Sequence, residues 1–447
     1  MAGRWGQPAR KSNDCCTAAY IRALPSTLAP PKFARQKRRV LRSATFSPLA
    51  HRAFALILTG ALVANFGNQI QAVGAAWLLT ENGAPADVIA LAQTATNLPI
   101  MLLALPAGAW ADMFDRRGIM LAALTAMLAL SLVLAALDLA GHTPAAAIIG
   151  MTALLACGIA CFSPAMAGSI GSVVPRKKLA AAVALNIVGF NLARSLGPAI
   201  GGGIVALGGA ASAFIVNALS YVVAIVLFWR WRGPPAPDRS SRRPLSGVIA
   251  EGVRYAAGSP PIRTIMLRAV TFTMTGAAAW ALMPLVSAEL LDKGSAVYGL
   301  LLGALGLGAV IGAATSTEFR RRFSAEAIIR AAGVIYGLAC VLVALQPGLP
   351  AMLLLLVVAG AGWVQALSGF SVAGQLWSPR ELVGRITAMV SSLTFGGIAL
   401  GSWLWGHFAE NYGVANALMA SGGAMVVLPV VGLLLPMPAH QAPQHQS

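Results

Sequence analysis

Charge is what this sequence most lacks. Only 10% of its 447 residues are Asp, Glu, Lys or Arg, where a soluble domain carries roughly 25%. A chain of this size cannot cover a water-exposed surface with so few. Carboxylates are the scarcer sign, 14 against 32 Lys and Arg. Histidine is rarer still: His51, His142, His407, His440 and His445 all stand near helix ends or in loops. No Ser-His-Asp set and no His-Glu-x-x-His pair appears, so no catalytic residue, metal or cofactor is expected and the enzyme classes they serve are excluded. Of five cysteines, Cys15 and Cys16 fall in the N-terminal tail and Cys157, Cys161 and Cys340 in apolar runs. None is placed for an extracellular disulfide. Cys157 and Cys161 share a helix face and read as small-residue packing rather than metal ligands.

What the sequence has instead is long uncharged stretches: 53–80, 88–111, 118–137, 139–175, 195–229, 269–288, 294–317, 331–379, 386–409 and 411–447. A membrane-spanning helix takes about 20 apolar residues at about 1.5 Å rise each. Three runs are long enough for two helices, and each has a break: Gly141–Pro144, Gly208-Gly209, and QPGLP at 346–350. The pattern predicts an all-α integral membrane protein with twelve spans. They lie at about 53–80, 87–111, 117–138, 144–171, 179–206, 211–231, 264–288, 296–317, 326–345, 350–376, 381–408 and 413–436. With the chain starting inside, Lys293 is the only basic residue in an outer loop, and Arg194 falls within a span. Glu81, Asp87, Asp138, Glu289, Asp292 and Glu410 stand at outer ends. This positive-inside pattern puts both termini in the cytoplasm. The net charge of +18 then reflects topology and not nucleic-acid binding. Anionic lipid of the inner leaflet is the natural partner of the basic loops.

A shift of 204 residues partly overlays the chain on itself. Gly108 meets Gly312, Arg116 and Arg117 meet Arg320 and Arg321, and Pro175-Arg176 meets Pro379-Arg380. Gly197 meets Gly401, and Gly202 meets Gly406. The chain reads as a duplicated six-helix unit, and since six is even both copies share one orientation, as parallel repeats. The expected organisation is a basic disordered tail (1–48), an N-terminal bundle (49–232), a cytoplasmic linker (233–262), a C-terminal bundle (263–436) and a short tail (437–447). The first tail holds ten Lys and Arg, one Asp and five Pro, with no apolar core of a signal peptide. Deleting residues 1–40 is expected to leave insertion and function intact. In the linker, Val248, Ile249, Gly252, Val253, Ala256 and Ala257 share a helical face opposite Glu251 and Arg254. That predicts a short helix lying on the inner membrane surface.

Four charges stand together in GAWADMFDRRG, Gly108 to Gly118, between two uncharged runs. Asp112 and Arg116 form an i, i+4 pair with the acid first, worth under about 1 kcal/mol at a surface. Asp112 and Asp115 also have the spacing of a metal–diphosphate motif, but such sites need a second acidic cluster. None exists, and the repeat copy has Ser316 and Phe319 at those places. Arg116 and Arg117 therefore read as anchors shared by both halves, Asp115 as a turn residue, and Asp112 as the acid peculiar to one half. Ser378-Pro379-Arg380-Glu381 has the form of a capping box, predicting the start of the eleventh span there, with the partial positive charge of a helix start. Arg194 lies about 22 Å along its span, near the midplane. An intramembrane charge is a functional hypothesis by default; Arg194 reads either as a cargo or gating contact or as a structural hydrogen-bond anchor. Asn65, Asn68 and Gln69 share a face at similar depth, where no acid lies. Gly197, Pro198, Gly201 and Gly202 either bend their helix for gating or let it pack closely. Asp112 and Glu289 are the carboxylates that could take up and release a proton beside the spans, and neither is deep.

Taken together, GAWADMFDRRG, NLARSLGPAIGG (191–202), IAEGVRYAAGSPPIR (249–263) and ELVGRITAM (381–389) resemble the major facilitator superfamily. The closer likeness is to its bacterial subfamily that groups the enterobactin exporter with transmembrane secretion effectors. The resemblance runs over about 50 to 436. It implies a secondary transporter working by alternating access in the bacterial inner membrane, as a monomer, with the proton as coupling ion. It also implies export, of a siderophore or another amphipathic small molecule; a multidrug efflux carrier is the alternative, and a non-transporting sensor the rival of a different class. By the same resemblance Asp112 latches the inner gate against the start of the eleventh helix. Gly108, Arg116, Arg117 and Ser378 belong to that gate. The first, fourth, seventh and tenth spans would face the cavity. Cargo-contact candidates are then Arg194, Asn65, Asn68, Gln69, Thr271, Trp363 and Gln365.

Overall fold

Uncharged runs become helices because, in lipid, a backbone must satisfy its own N–H and C=O groups. The computed structural model describes residues 47–141, 143–231, 233, 245–379 and 381–438, without the side chains of Asp112, 245–249, 431, 433 and 434. Most of the expected N-terminal tail, the Pro- and Arg-rich start of the linker, Arg380 and the C-terminal end fall outside the described residues. The helices are α1 (Arg52–Glu81), α2 (Ala86–Met113), α3 (Arg116–Leu139), α4 (Ala145–Val173), α5 (Arg176–Arg230), α6 (Leu245–Gly258), α7 (Pro260–Gly276), α8 (Ala278–Ala281) and α9 (Met283–Leu285). After a π turn at Val286–Leu290 come α10 (Ser295–Arg322), α11 (Ala325–Ala344), α12 (Leu349–Leu376), α13 (Val383–Tyr412) and α14 (Val414–Leu434). Among the described residues there is no strand, and nine helices are long and apolar enough to cross a membrane.

Two runs depart from single straight helices. α5 has 55 residues, about 80 Å at 1.5 Å each, against a hydrocarbon core of about 30 Å. It breaks at Gly208 and Gly209, the latter at φ 71°, a left-handed conformation that glycine adopts without Cβ strain. The expected bend at Pro198 is absent as a break: helical φ/ψ runs through it to Gly208. The stretch predicted as one span at 264–288 is instead α7, α8, α9 and the π turn. Pro284 stands there at the start of α9 with no N–H to continue the ladder, and Leu291 N–H reaches back five residues to Val286 O at 3.1 Å.

One end of the bundle, the basic end, gathers Arg116, Arg117, Arg176, Arg230, Arg320 and Arg385; the other, the acidic end, gathers Glu81, Asp87, Asp138, Glu289 and Glu410. The packed helix pairs come in matching sets. α1 packs on α5 as α7 packs on α13, α2 on α4 as α10 on α12, and α3 on α4 and α5 as α11 on α12 and α14. The crossings between the two sets also correspond: α2 packs along α13, and α10 along α5.

Those crossings are tight at the acidic end. Glu410 accepts from Ala86 N–H at 2.6 Å, Trp77 stacks on Tyr298 at 6.2 Å, and Gly202 lies against Ser295 and Gly299. On α2 the crossing ends near Met101, whose carbonyl accepts from Ser392 Oγ at 3.1 Å. Beyond it Leu102 is 59% exposed, and a Cβ on Gly108 would meet nothing within 4 Å. The two sets of helices part toward the basic end. α6 lies at that end against α13 and α12, with Glu251 on Arg385 at 2.6 Å and Tyr255 Oη donating to Trp377 O at 3.2 Å. Its buried stripe is Gly252 and Ala256; Val253 and Ala257, expected on the same face, are exposed, each about 100° round the helix from that stripe.

Candidate functional site

Where the two sets of helices part, they enclose a cavity of about 260 Å³. Gln69, Gln93, Asn97, Phe190 and Arg194 come to it from one side, and Trp280, Tyr298, Trp363 and Phe395 from the other. Arg194 is the one charged side chain in the lining. Its guanidinium carbon stands 4.9 Å from the centroid of the Trp280 ring, a cation–π contact worth about 0.5–2 kcal/mol depending on desolvation. Among the described residues it has no ion-pair partner. Trp280 in turn lies 6.3 Å from Trp363, which also packs on Phe272 and Tyr336. Both indole N–H groups are buried without a protein acceptor. The wall thus offers one cation and π faces, with two unpaired indole donors buried behind it.

The expected cargo residues divide. Arg194, Gln69 and Trp363 line the cavity. Asn68 lines a smaller alcove beside it and accepts from Tyr221 Oη. Asn65 is half-buried and lines neither. Thr271 faces a separate pocket beside Arg268 and Arg330, its hydroxyl bonded to Leu267 O at 3.0 Å. Gln365 turns to α10 and donates to Thr315 Oγ1 at 3.2 Å. The resemblance placed these two at the cavity; Thr271 instead faces that separate pocket, and Gln365 faces the helix packed beside it. Glu289 is exposed at the acidic end, away from the cavity; partial burial, then the neighbouring Glu410, raise its carboxyl above the ordinary carboxylate value.

At the basic end Asp115 is the N-cap of α3, accepting from Gly118 N–H at 2.9 Å and Arg117 N–H at 3.2 Å. Arg116 donates to Ala111 O and, on α4, to Gly168 O at 2.7 Å. Its repeat counterpart Arg320 donates to Ser368 Oγ, on the equivalent α12, at 3.0 Å, and to Ser316 Oγ at 2.9 Å. Arg117 donates to the last carbonyls of α5, Trp229 O at 2.7 Å and Phe228 O at 3.2 Å; among the described residues Arg321 instead has a long surface contact to Glu318. Asp112 belongs to the last turn of α2; its side chain is not described. The capping box at Ser378 does not form. Ser378 Oγ turns back to Gly374 O at 2.5 Å, closing α12, and α13 starts at Val383 behind Leu382 with no side-chain cap.

The glycines Gly197, Gly201 and Gly202 serve packing. A Cβ on Gly197 would stand 2.6 Å from Gln69, and one on Gly401 2.2 Å from Met274 O, so each meets the first helix of its own half. Gly202 meets α10 and Gly406 meets α2, each in the opposite half. Sequence reasoning named Trp363 but missed Trp280, Tyr298 and Phe395 of the aromatic wall, and a buried network in which Ser131 Oγ donates to Gln71 Oε1 at 2.6 Å and Asn217 Nδ2 also donates to Gln71. Buried amides inside apolar runs were the available signal.

The model of the family described as transmembrane secretion effector matches residues 43–447. The multidrug efflux pump Tap of Mycolicibacterium fortuitum is 29% identical over 404 residues, covering 85% of this chain and 95% of that protein. The enterobactin exporter EntS of Escherichia coli O1:K1 / APEC is 28% identical over 291 residues, 64% of this chain and 65% of that protein. Among solved structures, a bacterial homologue of the lysosomal transporter Spinster superposes with a TM-score of 0.66 at 17% identity, covering 86% of this chain and 95% of that one. The nucleoside transporter NupG gives 0.65 at 12% identity, over 87% and 99%.

Proposed function

The chain belongs to the transmembrane secretion effector family, within the major facilitator superfamily, and from that premise we propose that it exports an amphipathic small molecule by alternating access. It is a multi-pass membrane protein of a transporter family. The twelve spans of the proposal are α1 to α4, the two limbs of α5, the broken α7–α9 segment, and α10 to α14. They form two six-helix bundles, with both termini and the basic end in the cytoplasm of a bacterial inner membrane. The closed acidic end and parted basic end then correspond to an inward-facing state. The proposed outward-facing state brings Asp112 to the uncapped start of α13, where the helix dipole favours an acid. Anionic lipids meet the basic loops, the proton is the coupling ion with Asp112 or Glu289 as its carrier, and the transporter works as a monomer.

The observation that carries the cargo reading is the cavity wall: Arg194 lies on Trp280 beside further aromatic rings, with no carboxylate lining the site. Such a wall suits an aromatic cargo with negative charge or many acceptor atoms, a siderophore of the catecholate type among them. A second reading, multidrug efflux, is favoured by the extent of the match to Tap, which spans 95% of that pump. Metabolite profiles of medium and cells from a deletion strain and its parent, with and without iron, separate the two. Retention of an iron-regulated siderophore in the mutant's cells supports the first; an unchanged siderophore with raised drug accumulation supports the second. Purified protein in liposomes that moves neither class would overturn both. Arg194→Ala is expected to abolish transport, and normal transport by that variant would return Arg194 to a purely structural part.

A further inference from the structure

We propose that the alcove beside the cavity is a cargo subsite for a small uncharged group that both donates and accepts hydrogen bonds, a hydroxyl or a carboxamide. The inference rests on reading the main cavity as the cargo site and specifies a part of the cargo that Arg194 and the aromatic wall do not. The alcove holds about 40 Å³. A water needs about 10–15 Å³ on this measure, so the space suits a group of two or three heavy atoms. It opens from the cavity through the shared walls of Ala72, Ala75, Thr96 and Thr152. No charged side chain lines it; Asn68, Gln71, Asn217 and Tyr221 do.

Two of the residues lining it each carry a polar atom that is buried without a protein partner, Gln71 Nε2 and Thr152 Oγ1. Gln71 is 4% exposed, and its oxygen is taken by Ser131, behind the wall, and Asn217. The amide is thereby fixed with its nitrogen as the unused donor. Thr152 is unlike the helical threonines Thr96, which shares the alcove, and Thr125 of α3. Thr96 and Thr125 return their hydroxyls to the carbonyl four residues back, at 2.9 Å each. Thr152 does not, which leaves its hydroxyl available as donor or acceptor. Buried polar groups left unpaired are costly. A guest that accepts from Gln71 and exchanges a hydrogen bond with Thr152 removes that cost, and an alkyl group of the same size does not. Sites of this design discriminate against analogues lacking the polar group.

The test is equilibrium binding to the full chain in lipid nanodiscs, by titration calorimetry with matched aromatic anions. The polar-tailed probes are 4-carbamoylbenzoate and 4-(hydroxymethyl)benzoate; their size-matched controls are 4-isopropylbenzoate and 4-ethylbenzoate. The same four tails on a biphenylcarboxylate frame cover a longer spacing between anion and tail. Polar tails are expected to bind at least about tenfold tighter than alkyl tails on one frame. Thr152→Val and, separately, Gln71→Leu should bring that ratio close to one, while Thr125→Val on α3 keeps it. Equal binding of polar and alkyl tails to the wild type, or a preference undiminished in Thr152→Val, overturns the subsite and leaves the cavity reading standing. If no probe binds the wild type on either frame, the cavity reading fails and the subsite with it.

Discussion

One methyl group at Gly299 should change which end of this transporter is closed. A Cβ there would stand 2.5 Å from Pro198 O and 2.8 Å from Gly202 Cα, where ordinary contact begins at 3.4 Å. α10 and α5 would have to part by roughly 0.9 Å, and overpacking of this kind costs about 1–3 kcal/mol. In the proposed cycle this crossing exists only with the acidic end closed, so the cost falls on that state alone. A bias of that size moves the equilibrium by roughly 5- to 150-fold toward the state with the acidic end open. The assay is electron–electron distance measurement between spin labels at Asn82→Cys and Leu345→Cys, both exposed at the acidic end, with the native cysteines replaced. Gly299→Ala should shift the distribution to longer distances. Gly203→Ala, where a Cβ meets nothing within 4 Å, should not. Identical distributions and melting temperatures for the two variants would refute the argument.

Asp112→Asn should abolish transport while leaving insertion and folding intact; normal efflux from proteoliposomes would remove the latch. Asp115→Ala should lower stability by about 1 kcal/mol through loss of the α3 cap, seen as a small fall in melting temperature with transport retained. Glu289 has a carboxyl raised by burial and by Glu410, so the folded state holds its proton to higher pH than the unfolded chain does. Stability should therefore fall as pH rises from near the ordinary 4.5 through the raised value. Glu289→Gln should flatten that slope in a pH series of melting temperatures, and an unchanged slope would assign it elsewhere.

The helices were legible because each uncharged run ended in a charge, a glycine or a proline. The repeat was legible for the same reason, and Gly197 with Gly401, and Gly202 with Gly406, turned out to be matching contacts. Arg194 stood out as the charge within a span, but its partner Trp280 did not, since 86 positions and a broken helix separate the two. Gln71 was passed over although it stands one turn from Asn68 on α1, an i, i+3 neighbour; both reach α5, and Gln71 alone of the two also reaches Ser131 of α3. Ser378 shows the converse. Its local motif is that of a helix start, yet its hydroxyl is taken by the helix before it, a choice that four residues of sequence do not encode.

The face that α10 turns to α5 is backbone: Gly299, Gly303 and Gly306 lie against Pro198, Ala199 and Ser195. Side-chain ridges seated in grooves fix the angle between helices, and a surface without ridges has no notches to leave. Friction across it is correspondingly low, and one helix can roll on the other without first lifting knobs out of holes. Any side chain added to that strip would act as a pawl, letting the two halves rest on one side of the roll and holding them off the other.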